Sequence, residues 1–71
     1  MTALVNVNAG VATIYSSGDL SGLAGLSAIS SIVVTKNSQT PAGDNVVVDL
    51  TTGLAGIQAL SYVTVQNGAT A

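Results

Sequence analysis

Gly22-Leu23-Ala24-Gly25-Leu26-Ser27-Ala28-Ile29 and Gly53-Leu54-Ala55-Gly56-Ile57-Gln58-Ala59-Leu60 carry glycine and apolar residues at matching positions, separated by a constant offset. The same offset sets Ile32 and Val34 on Val63 and Val65. An Asp-Leu pair opens each segment, Asp19-Leu20 and Asp49-Leu50, with one residue inserted in the second copy. Self-similarity at a period of about thirty residues marks a supersecondary unit used twice.

Strand signals flank both glycine-rich segments. Ile32-Val33-Val34-Thr35 is a short continuous apolar run, the pattern of a strand covered on both faces. Asn45-Val-Val-Val48 and Tyr62-Val-Thr-Val65 read as strands in the second copy. Upstream, Val5 and Val7 alternate with Asn6 and Asn8, and Asn8-Ala9-Gly10 supplies turn chemistry before Val11-Ala-Thr-Ile-Tyr15, which predicts a hairpin. Lys36 to Gly43, with the single proline at position 41, reads as a surface loop.

The glycine-rich segments are expected to be short helices. Asp19 and Asp49 stand where an N-cap carboxylate accepts from the first free backbone N–H groups. Leu50, Leu54 and Ile57 form an i, i+4, i+7 stripe. In the first copy the apolar residues are three apart, so their direction drifts about 60° per step, and Gly22 and Gly25 each cost about 1 kcal/mol inside a helix. The predicted fold class is therefore α+β: a small sheet with two short Gly-rich helices on one face. It is built from two strand–helix–strand pseudo-repeats, about 11–38 and 45–68, in one domain spanning 1–71. The alternative is a mainly-β chain or a solenoid fragment. Leu20, Leu23, Leu26, Ile29, Ile32, Val34 and Asn37 resemble the leucine-rich-repeat run, and the second copy follows through Leu60, Val63 and Val65, with Asn67 one residue early. That resemblance implies stacked repeats.

Composition narrows function by exclusion. Asp19, Lys36, Asp44 and Asp49 are the only ionisable acids and bases of the Asp, Glu, Lys and Arg classes, so 6% of residues are charged, against about 25% in an ordinary soluble domain. Catalysis by general acid–base or nucleophilic groups draws on His, Cys, Lys or paired carboxylates; here there is no His and no Cys. Lys36 beside Ser38 reads as a solvated lysine guarding a strand end. Asp19, Asp44 and Asp49 with Asn45 make too sparse a donor set for calcium, which takes about six to eight oxygens. The Gly-x-x-Gly steps lack the spacing and lysine of a phosphate loop and suit close backbone packing instead. No cofactor, small-molecule substrate or metal is expected. A net charge of −2 with one lysine argues against nucleic acid, which is held by clusters of Lys and Arg. No run approaches the ~20 apolar residues of a spanning helix.

What remains is association. A domain of this size buries only about 60% of the surface its unfolded chain exposes, and neither a disulfide nor a histidine metal site is available to staple it. Surfaces depleted of Lys, Asp and Glu are those of interfaces. Leu4, Val5 and Val7 form an apolar strand with no Lys, Pro or Glu on it, suited to strand addition. Tyr15 and Tyr62, the only aromatics, join them as candidate interface residues. The expected function is a non-catalytic structural protein that packs against copies of itself and a larger structural protein. A start without a basic n-region points to a virion component made in the cytoplasm, such as a phage capsid-decoration or minor tail protein. The alternative is a small repeat-based adhesin or receptor-binding module, extracellular, presenting the Thr35 to Gly43 loop.

Overall fold

The computed structural model describes residues 2–21, 29–51 and 62–71. Its strands are β1 (Val5–Asn8), β2 (Val11–Ile14), β3 (Gly18–Asp19), β4 (Ser31–Thr35), β5 (Val48–Asp49) and β6 (Tyr62–Gln66). β1 and β2 form the hairpin that the alternation predicts, paired from Val5↔Ile14 to Asn8↔Val11. Its two-residue turn holds Ala9 at φ +52° and Gly10 at φ +81°. Positive φ at both central positions gives the turn a twist that matches right-handed strands, and Gly10 meets that demand without a Cβ clash.

From β2 onward the chain coils. β2, β4 and β6 run parallel in one sheet of order β1-β2-β4-β6, while β3 and β5 run parallel in a second, two-stranded ladder. Successive strands alternate between the two ladders, so the path returns to each ladder once per turn. Isolated parallel bridges extend the small ladder at both ends, Thr2 to Asp19 and Val47 to Thr70. Backbone hydrogen bonds fix them: the Ala3 N–H donates to the Asp19 carbonyl at 2.8 Å, and the Val48 N–H to the Thr70 carbonyl at 2.8 Å. The two turns of the coil differ in one connection. Val11 to Gly18 separates equivalent ladder positions in the first, Ser31 to Val48 in the second, about ten residues more, all carried by the segment that includes the loop.

Between the ladders lies the core. Ala12 and Ile14 of β2 and Ile32 and Val34 of β4 project from the large sheet, and they meet Ala3, Leu20, Ile29, Val46 and Val48, with Val5, Leu50 and Ala69 packed at the margin. This corrects the α+β expectation. The described residues hold no helix, and the inner face of the large sheet is covered by Leu20, Val46 and Val48 from the second ladder and its approach, not by two helices. Segments 22–28 and 52–61, which contain most of both expected helices, lie outside the described residues. β4 is the interior strand of the sheet, between β2 and β6, with four of its five residues buried, as its unbroken apolar run predicts.

The strand expected at Asn45–Val48 is shortened to Val48–Asp49. Val46 stands at φ +51° with its side chain fully buried. A β-branched residue there is strained, and a hydrogen-bond cluster holds it: the Asp44 Oδ1 accepts from the Val46 N–H at 2.7 Å and from the Ser17 hydroxyl at 2.5 Å, and the Asp44 Oδ2 accepts from the Ser17 N–H at 3.1 Å. The Ser17 Oγ in turn accepts from the Val47 N–H at 2.9 Å. Corresponding corners of successive turns are thereby tied together.

Acid should release that tie. The Ser17 hydroxyl, then the Val46 and Ser17 N–H groups, hold the Asp44 carboxyl below its ordinary value, and the Ser21 hydroxyl and N–H do the same for Asp19. A carboxylate depressed by folding contributes stability that is complete above its unfolded pKa and is lost as pH falls through the lower folded value. Thermal melts should be level from neutral pH to about pH 5 and fall below about pH 4. Asp44→Asn should lower the neutral melting temperature and flatten the acid decline; an unchanged decline would show that Asp44 is not its source.

Candidate interaction surface

The two outer strands of the large sheet carry three exposed valines, Val7, Val63 and Val65. In antiparallel and parallel ladders alike, residues opposite one another share a face of the sheet. Val5 and Val7 therefore lie in rows with Ile14 and Ala12, and those rows continue through Val34 and Ile32 to Val65 and Val63. The inner members of both rows are buried; at the rims Val7 is 55% exposed, Val63 41% and Val65 44%. Core-facing valines thus emerge into solvent at both edges of the sheet.

At the β1 edge, Leu4 is 47% exposed and Val5 is half-buried against the core. The backbone there is pinned: the Leu4 N–H donates to the Ser16 Oγ at 2.8 Å, and the Leu4 carbonyl accepts from the Tyr15 N–H at 3.1 Å. This brings Leu4, Val5, Val7 and the half-buried Tyr15 of the expected interface to one edge. Tyr62 begins β6 and lies at the opposite edge. Val63, Val65 and the 55%-exposed Val47 are further apolar surface residues that the sequence reading left out. Alternation in 62–66 was their available signal, but it does not say which strand ends a sheet.

Charge is absent from both edges: neither Val5–Asn8 nor Tyr62–Gln66 contains an ionised side chain. Lys36 follows β4 directly and is exposed. The loop after it is shaped by its own side chains, the Asn37 Oδ1 accepting from the Gln39 N–H at 2.8 Å and the Thr40 Oγ1 from the Asn37 N–H at 2.9 Å. Asn6 of β1 reaches this loop, its Nδ2 donating to the Gln39 Oε1 at 2.8 Å.

Asp19 and Asp49 are direct ladder neighbours on β3 and β5. Each turns its carboxylate two residues forward. The Asp19 Oδ1 accepts from the Ser21 N–H at 3.0 Å and hydroxyl at 2.5 Å, and the Asp49 Oδ1 from the Thr51 N–H at 2.9 Å and hydroxyl at 2.5 Å. These Asx-type turns close the corner after each strand of the small ladder; the helices that the two residues are expected to cap fall largely outside the described residues. Asp44 is engaged with Ser17 and Val46 and does not join them. Among the described residues there is no cluster of three His, Cys, Asp or Glu that could hold a metal ion, and no pocket forms. Among them no helix is long and apolar enough to cross a membrane.

Compared with protein-family models, curated proteins and solved structures, the chain matches none.

Proposed function

We propose that this chain is a non-catalytic structural subunit that packs against copies of itself and a larger structural protein, docking by strand addition along the β1 edge. The observation that carries the reading is the exposed, ion-free edge strand whose valine row is continuous with the core. An edge of this kind offers unpaired backbone groups together with apolar side chains, and soluble monomers ordinarily blunt it with lysine, proline or a bulge. The setting we propose is a virus particle, as a capsid-decoration or minor tail component, where most of a subunit's outside becomes interface and charged residues are depleted. The residue inventory, with no His and no Cys, supports a non-catalytic role.

Sedimentation at about 100 µM should show species larger than the monomer, a concentration at which even weak strand pairing is populated. Val7→Lys places a charge on the β1 row at a position exposed enough for the fold to tolerate it. It should suppress the species built through the β1 edge with little change in melting temperature. A monodisperse monomer at that concentration, which also fails to bind a particle surface, would sink the proposal. A recognition module is the second reading, favoured by the exposed loop that Asn37 and Thr40 lock into shape. Its mark would be a stable monomer that captures a soluble ligand and loses it when residues 37–40 are replaced by glycine and serine.

A further inference from the structure

Among the described residues the large sheet ends on β6, and the polarity at the centre of that strand reads the same in both directions. Thr64 and Gln66 occupy one face, Val63 and Val65 the other, with Thr64 at the centre. Both valines are exposed to nearly the same extent, 41% and 44%, although they share their face with buried Ala12, Ile14, Ile32 and Val34. At the β1 edge, by contrast, Val5 already packs on the core and only Val7 is left strongly exposed within the strand.

We propose that β6 is the two-fold interface of a homodimer, pairing antiparallel with β6 of a second copy about Thr64. This rests on the reading of the chain as self-associating and adds the surface, the register and the symmetry. Antiparallel pairing centred on Thr64 sets Val63 opposite the partner's Val65, and Val65 opposite the partner's Val63. Directly opposed side chains in such a ladder stand about 4.5–5.5 Å apart on the same face, close enough to exclude water between them. A two-fold axis requires one patch to complement itself, and Val63-Thr64-Val65 does so in polarity.

The lack of charge restricts the occupant to an ion-free strand, and the two-fold order Val63-Thr64-Val65 fits β6 of a second copy. Residues 62–71 carry no Asp, Glu, Lys or Arg, so a charged partner strand would meet no counter-ion and would have to shed its hydration unpaired. An identical strand presents valine to valine and brings no ion. The pairing also covers the backbone edge of β6, which no strand among the described residues pairs. The product is one continuous sheet through both copies, with a β1 at each outer rim, so the docking edge stays available on the dimer.

Complementary charges at the two valine positions provide a test specific to the register. Val63→Lys and Val65→Asp chains are purified separately, checked for folding by circular dichroism, and examined by native mass spectrometry and sedimentation alone and mixed. The unaltered chain should dimerise, and Val63→Lys should weaken that dimer by at least about tenfold in Kd, since each copy then buries a lysine against valine. Mixing it with Val65→Asp should restore dimers that are exclusively mixed, because this register alone sets the new lysine against the new aspartate. Val7→Lys should leave the dimer intact while blocking larger species. An oligomer that ignores Val63→Lys but falls apart with Val7→Lys would overturn the β6 dimer and leave the proposed function standing. Failure of the mixed pair to form, with both variants folded, would overturn the register. A monomer at about 100 µM would overturn the dimer and the self-associating reading together.

Discussion

Ile14→Ala should remove about 3 kcal/mol of stability and lower the melting temperature by roughly 12–24 °C. Ile14 is fully buried and lies on the inner face of β2, in the row with Val34, between the two ladders. Truncation takes away its transfer free energy and leaves a cavity whose walls are strands held in register on both sides, so they cannot close in. For a chain of this length total stability is about 4–10 kcal/mol, so the variant should be substantially unfolded well below the parent's melting point. Urea denaturation of the parent and variant checks it: a midpoint shift at unchanged slope is expected. A loss under about 1 kcal/mol would place Ile14 outside the core.

Leu20→Ala is expected to cost about as much, roughly 3 kcal/mol, for a different reason. Leu20 follows β3 and is 2% exposed; with Val46 and Val48 it forms the lid that the second ladder places over the large sheet. Were the large sheet roofed by other elements, its loss would be minor. Because Leu20 and Ile14 border one core, the two losses should not add: the double variant opens one larger void, and a coupling of about 0.5 kcal/mol or more is expected. Additive costs would indicate two independent clusters and contradict the two-ladder core.

Strands long enough to show a period were legible in the sequence. The Val5/Val7 alternation and the Asn8-Ala9-Gly10 turn give β1 and β2 nearly at their observed limits, and the run at 32–35 gives the buried interior strand β4. The repeat was legible as well, though not what it meant. Ile32 and Val34 stand against Val63 and Val65 in sequence alignment because they are ladder partners, and Asp19 and Asp49 recur because β3 and β5 pair at those residues. β3 and β5 themselves are two residues long, too short to carry any periodicity. An aspartate followed two residues on by Ser21 or Thr51 looks alike before a helix or at a strand corner, since in both the carboxylate accepts from a nearby backbone N–H. The left-handed backbone of Val46 runs against every local preference of valine and is imposed by packing and by Asp44. Of the candidate surface, the lack of charge on β1 could be read from the sequence; that β6 is an outer strand depends on strand order, which no local pattern encodes.

The unequal turns of the coil have an evolutionary corollary. Hydrogen-bonded register fixes the spacing of residues only where strands lie side by side, and the surplus length of the second turn sits between Thr35 and Val48, in a segment that rises to the surface and returns. Closing a longer excursion there adds only about 0.6 kcal/mol for each doubling of its length. Insertions and deletions around Pro41 would therefore be nearly silent for folding, whereas a single residue gained or lost inside β2, β4 or β6 would turn a row of valines and isoleucines out of the interior. Genetic drift in chain length is thus channelled to one site on the exterior, and a foreign peptide grafted there would be carried outward without entering the interior.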